Sequence, residues 1–178
     1  MIFPFPELRQ VTCWDCVASA LSAHLAACGL DVREEKILKI ARTTPRDGTN
    51  TAGILRVHRY YKIPCRAGSM TPDDLCRAVD RHHPTLLLLQ AYRDDPAIPW
   101  QDCWDDGHGV TCIGYRGKKP RRRFIFEDPS SYVRTWLSER ELLLRWHDLD
   151  PGNVRLLQWG CETLVRSRYR PGRQIRMG

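Results

Sequence analysis

The stretch Gln10-Val11-Thr12-Cys13-Trp14-Asp15-Cys16 runs directly into an apolar pattern of helical period. Val17, Leu21, Leu25 and Cys28 recur at that spacing while Ser19, Ser22 and Ala26 fall elsewhere, so an amphipathic helix is expected over 15–28. Asp15 stands where an N-cap belongs and Gly29 where such a helix ends. Cys16 then occupies the first turn, beside unpaired backbone N–H groups and the positive end of the helix dipole. That position favours the thiolate, which is the attacking form of cysteine. Gln10, six residues earlier, is near enough in chain for its amide to complete an oxyanion hole with the Cys16 N–H.

Downstream of this helix, Asp31 with Glu34 reads as a capping box opening a second helix to about Ala41, before the turn residues Pro45 and Asp47-Gly48. A third helix is expected from Asn50 or Thr51 to Tyr61, and Thr71-Pro72-Asp73-Asp74 caps a fourth that reaches Arg81. From there the period changes. Thr85 to Tyr92 reads as a buried strand, and His108–Tyr115 with Arg123–Glu127 as a hairpin across the Gly117–Pro120 turn. Ser138 with Glu141 opens a further helix through Trp146, and a last strand is expected between Val154 and Val165, interrupted at Gly160. Helices first and an antiparallel sheet after them predict an α+β domain.

A thiolate nucleophile needs a proton-transfer partner. His108 opens one strand of the expected hairpin and Asp128 follows the other, so pairing of the strands can bring the two side chains together. Asp128 would then accept from one imidazole nitrogen and leave the other facing Cys16. Glu127 is the nearest competitor for that task, but strand alternation turns it to the opposite face. The ordered set of Gln10, Cys16, Gly107-His108 and Asp128-Pro129 resembles the papain-like cysteine peptidases. More narrowly, it is similar to the bacterial double-glycine leader peptidase family and its stand-alone relatives, with aligned features from Gln10 to Trp146-His147-Asp148. The resemblance implies a helical part packed on an antiparallel sheet with the active-site cleft between. It implies Cys16 as nucleophile, His108 as base, Asp128 as orienting acid and Gln10 as oxyanion donor, a peptide or protein substrate, and no cofactor. The family typically carries glycine directly after the nucleophile, where this chain has Val17.

Two other readings stand beside hydrolysis. The same thiol and imidazole serve acyl transfer or amide formation in relatives. From a different class, Cys13, Cys16, Cys103 and His108 can be read as a Cys3His zinc site that stabilises an interaction module.

The 178 residues fit one domain over 1–165 and an arginine-rich tail over 166–178. Of 28 basic residues, five lie in that tail, which leaves 23 against 21 acidic; six more lie between Arg116 and Arg123, so the rest of the body is slightly acidic. The tail suits an acidic partner, and with no helix-turn-helix, zinc-finger or aromatic RNA-binding signature beside it, nucleic acid is not expected. No stretch reaches the roughly 20 apolar residues of a membrane span, and MIFPFPELRQ lacks the pattern of a signal peptide. A cytoplasmic location is therefore expected, with most of the eight cysteines as free thiols. The loop before His108 carries Asp94, Asp95, Asp102, Asp105 and Asp106 with Trp100 and Trp104. Two aromatic anchors into the core are expected from it, and an acidic wall of the cleft suited to a basic peptide.

Overall fold

The computed structural model of the chain describes residues 1–93, 95–105 and 107–174. Among these residues there are five α-helices, α1 (Cys16–Ala27), α2 (Glu34–Ala41), α3 (Thr51–Tyr60), α4 (Pro72–Asp80) and α5 (Glu139–Arg145), and a short 3-10 turn at Trp100–Asp102. The strands are β1 (Cys65–Ser69), β2 (Thr85–Gln90), β3 (Gly107–Arg116), β4 (Arg123–Glu127), β5 (Thr135–Ser138), β6 (His147–Asp150), β7 (Val154–Leu157) and β8 (Trp159–Thr163). Six of them form one antiparallel sheet in the order β1-β8-β2-β3-β4-β5, while β6 and β7 make a separate hairpin. The architecture is the expected α+β.

β2 explains where the core lies. All six of its residues are buried, because both faces of the sheet are covered. Leu87 and Leu89 join Phe3, Phe5, Leu75, Phe124, Phe126 and Trp146 on one side. Leu86 and Leu88 join Val17, Leu21, Leu25, Ile37, Ile54 and Val57 on the other.

Capping chemistry sets three helix starts as expected. Asn50 accepts from the Gly53 N–H at 2.8 Å, and Thr71/Asp74 and Ser138/Glu141 form reciprocal capping boxes. The Asp31/Glu34 box does not form. Residue 33 is extended and α2 begins at Glu34, so the helix is only as long as the stripe that Ile37 and Ala41 bury. The final strand is also shorter than expected. Gln158 takes a left-handed φ of 52°, which breaks the run into β7 and β8 and sends them to different sheets.

The largest departure is α1, which is buried on every side except at Ala26. Ser19 and Ser22, expected on a polar face, lie inside. Ser22 is tolerated because its hydroxyl donates to the Ala18 carbonyl at 3.1 Å, within the helix itself. His24 is held between two threonines, Thr163 at 2.8 Å and Thr111 at 3.1 Å. Burial, and then His58, pull its pKa down to about 3, so it is a neutral structural imidazole. At the far end of the chain Ser167 N–H donates to the His82 carbonyl and Arg168 N–H to the Ala27 carbonyl, which seats the start of the arginine-rich segment on the body.

Candidate active site

Asp15 is the N-cap residue of α1, yet its side chain does not cap the helix. Its carboxylate turns back and accepts from the N–H groups of Val11 (3.3 Å) and Thr12 (3.1 Å), rolling residues 10–15 into a tight loop that fixes Cys16 on the first turn. The same loop is tied across the molecule: the Gln10 N–H donates to the Pro129 carbonyl at 3.0 Å. The segment bearing Cys16 is thus bonded to the corner bearing Asp128.

β3 and β4 bring His108 and Asp128 together. His108 Nε2 donates to Asp128 Oδ1 at 2.8 Å. That leaves Nδ1 for Cys16, whose sulfur hydrogen-bonds the ring. Burial alone would lower the His108 pKa; the bonds to Asp128 and Cys16 outweigh it and lift the pKa to about 9. Burial likewise works to raise Asp128, and the His108 hydrogen bond overrides it, holding the acid at about 2. Glu127 is removed from this chemistry by Arg9 at 2.7 Å and Arg134 at 3.3 Å.

The acid has support that the sequence did not advertise. Ser130 offers Asp128 Oδ1 both its N–H (3.0 Å) and its hydroxyl (2.8 Å), and Thr135 reaches Oδ2 at 3.3 Å. Tyr92 donates to the Ser130 hydroxyl and sets its ring edge against His108, centroids 5.5 Å apart. The Asp-Pro-Ser run is the one local signal for Ser130, as a side chain that folds back on its own turn.

Cys16, His108 and Tyr92 line a cleft of about 830 Å³ between the 10–17 and 45–50 segments on one side and β3 with the β6–β7 hairpin on the other; Asp128, Ser130 and Thr135 lie behind His108 and line a separate pocket. Cys16 is 8% exposed there. Gln10 reaches the same cleft; one amide N–H is taken by the Thr12 carbonyl at 2.7 Å, leaving its second for another acceptor. Opposite Gln10, Asp150 accepts from the N–H (3.1 Å) and hydroxyl (2.6 Å) of Thr51 at the start of α3.

Val17, where glycine is typical of the resembling family, is accommodated by the facing strand. A Cβ on Gly109 would lie 2.6 Å from Val17 Cγ2 and 3.3 Å from its Cα. Gly109→Ala is therefore expected to destabilise by about 1–3 kcal/mol through overpacking. Val17→Ala in the same chain should restore part of that in denaturant unfolding. Full additivity of the two substitutions would mean that the contact is not the cause.

Asp148, which ends the aligned features but has no role assigned from the sequence, lines the cleft. Its carboxylate fills the space a side chain on Gly107 would need, accepts from Leu149 N–H at 2.8 Å, and is lifted to about 6, chiefly by burial. Because the folded state holds this proton more tightly than the unfolded chain does, Asp148 favours folding below about pH 4. That contribution is lost as pH rises through about 6. Asp148→Asn should therefore gain on the native protein by about 3 kcal/mol between pH 4 and 7. Parallel stability curves for the two proteins would refute this.

The Cys3His reading is not supported by the arrangement. Cys13 is exposed, Cys103 is buried with its thiol toward the Tyr92 carbonyl (3.6 Å), and Cys16 faces His108. Among the described residues, no three of those four bring donor atoms within 4.8 Å of one another. The tryptophans of the loop also depart from expectation, since neither enters the core: Trp100 lies under Arg145 and Arg93, and Trp104 against His147 and Arg155. Of the loop's acids, Asp105 lines the cleft; Asp94 and Asp106 lie outside the described residues.

No protein-family model matches the sequence, and no curated protein matches it. Solved structures do. The chain resembles a C39-like peptidase from Bacillus anthracis (TM-score 0.66, 12% identity, 92% of this chain and 96% of that one). It resembles the peptidase domain of Streptococcus ComA, a bifunctional ABC transporter of a quorum-sensing pathway (0.61, 14%, 86% and 93%). A double-glycine motif protease from an AMS/PCAT transporter, solved with its leader peptide, is similar too (0.61, 17%, 91% and 94%). The fold is thus that of the papain-like C39 peptidase domains. No helix among the described residues is long and apolar enough to cross a membrane.

Proposed function

We propose that this chain is a cysteine peptidase that cleaves a peptide bond through a thioester. The observation that carries the reading is the line of contacts from the Cys16 sulfur through the His108 ring, both lining the cleft, to the Asp128 carboxylate behind the ring. The Cys16 sulfur attacks the carbonyl carbon and the carbonyl π electrons move to oxygen. The Cys16 N–H and the free N–H of the Gln10 amide stabilise that oxyanion. His108 gives its proton to the leaving amine as the C–N bond breaks, then takes one from the water that hydrolyses the thioester. Asp128 keeps the ring oriented throughout.

The substrate is an extended, cationic peptide. Asp47, Asp105, Asp148 and Asp150 line the cleft, and Arg46 is the one lysine or arginine among the described lining residues. Its cleavage as a leader or tail segment accords with the leader peptide bound to the double-glycine protease above. The body acts from the cytoplasm, and the arginine-rich 166–178 segment engages an acidic partner.

The test is mass-spectrometric mapping of the cysteine that iodoacetamide alkylates first, followed by a peptide library read with and without an added amine. The expected result is Cys16 labelled ahead of the other thiols, and hydrolysis that favours basic peptides at low ionic strength. Equal labelling of all cysteines would remove the nucleophile from the proposal. Product formed only with the amine would make the enzyme an acyltransferase.

A further inference from the structure

Away from the cleft, three side chains that this chemistry does not use converge beneath the sheet edge. His58 stands in the last turn of α3, Cys65 opens β1 and Cys161 lies in the middle of β8. Cys65 pairs with Thr163 and Ala67 with Cys161, so strand alternation puts both sulfurs on one face, and that face is the one α3 covers. One donor atom from each of the three lies within 4.8 Å of the other two.

His58 is the informative member. Its ring is 3% exposed, and the polar contact it makes is with the Cys65 sulfur, which in turn meets the Cys161 sulfur. The neighbouring His24 cannot serve, because both its nitrogens are taken by Thr163 and Thr111. A thiol is a weak partner for a buried imidazole, which leaves the ring able to take a stronger one. A Cys65–Cys161 disulfide would remove even that thiol. A cation shared with the two sulfurs would use the ring.

We propose that His58, Cys65 and Cys161 bind one thiophilic d10 metal ion, zinc(II) or copper(I), which pins α3 to β1 and β8. Two thiolates and an imidazole are the donors such ions select over calcium or magnesium. Cys65 is the one of the three that is only half-buried, so the cluster meets solvent on its side. The site is independent of the peptidase reading.

The experiment uses the full chain, reduced and metal-stripped, and titrates it with Co2+ as a spectroscopic probe, then with Zn2+, and separately with Cu+ against a chromophoric chelator. The expected result is one equivalent bound, with thiolate-to-cobalt charge transfer in the cobalt form and a rise in Tm with zinc or copper. Cys65→Ser should weaken binding by more than about 100-fold, the upper end of what losing an outer-sphere partner does. Cys13→Ser should leave it unchanged. Because Cys65 is half-buried, Cys65→Ser is expected to fold, which circular dichroism checks; Cys65→Ala provides a second variant. Uptake of copper without zinc, or of zinc without copper, would identify which ion belongs there. Absence of uptake, uptake that survives both Cys65 variants, or loss on Cys13→Ser would overturn the proposal. So would an intact mass showing a Cys65–Cys161 disulfide together with no uptake after reduction.

Discussion

Cys16→Ser is expected to lower kcat/KM for peptide hydrolysis by at least about 10⁴-fold, because a hydroxyl at this position is far less readily ionised than a thiol and is a poor nucleophile. Serine nearly preserves the volume of the side chain, and Cys16 is already at the wall of an open cleft, so the thermal midpoint should hardly move. His108→Ala should lose about 10²- to 10⁴-fold and also slow the alkylation of Cys16, which a role limited to substrate contact would not do. Hydrolysis by Cys16→Ser within tenfold of the native rate would assign the nucleophile elsewhere, and the exposed Cys13 three residues earlier would be the first place to look.

The second large effect concerns Asp128. In the native protein the imidazolium should persist until about pH 9, so activity that needs a protonated His108 is expected to decline through that region. Asp128→Asn deletes the charge and leaves a carbonyl that still accepts from Nε2. The alkaline limb should then move toward neutrality by about one unit or more, with a fall in kcat of at least about 10²-fold. Stability should follow the same pair. The raised His108 contributes fully below about pH 6.5 and its contribution is lost as pH climbs through 9, while the lowered Asp128 contributes above about 3.8 and fades as pH falls through 2. The variant should therefore be weaker than the native chain between those limits and equal to it in strong acid. An alkaline limb that stays in place would mean that the carboxylate does not set the proton on the ring.

Much of this arrangement was legible because it is local. Capping boxes at Thr71 and Ser138 and the Asn50 cap depend on residues three positions apart, and they set helix starts as read. The β3–β4 hairpin likewise follows from two short apolar runs joined by a glycine- and proline-bearing turn, and it alone places His108 near Asp128. What stayed hidden is what only three-dimensional neighbours decide. α1 reads as amphipathic because serine and histidine look like surface residues. Ser22 bonds within its own helix and His24 to threonines on β3 and β8, neither of which period counting can see. β1, with two glycine-sized or charged positions in Cys65–Ser69, lacks a strand signal and exists because β8 supplies its hydrogen bonds. Asp148 and Tyr92 reach the cleft from elements remote in sequence. His58, Cys65 and Cys161 share no motif spacing at all; sheet register assembles them.

The two clasps on either flank of the cleft, Gln10 N–H to the Pro129 carbonyl and Thr51 to the Asp150 carboxylate, join the helical half to the sheet half before any peptide arrives. Breadth of the groove is consequently a property of the resting protein. On the proposed peptidase reading, an incoming chain is expected to enter as an extended strand. Less ordering of the protein itself is then left for the encounter to supply, so a peptide is expected to meet a slot already shaped.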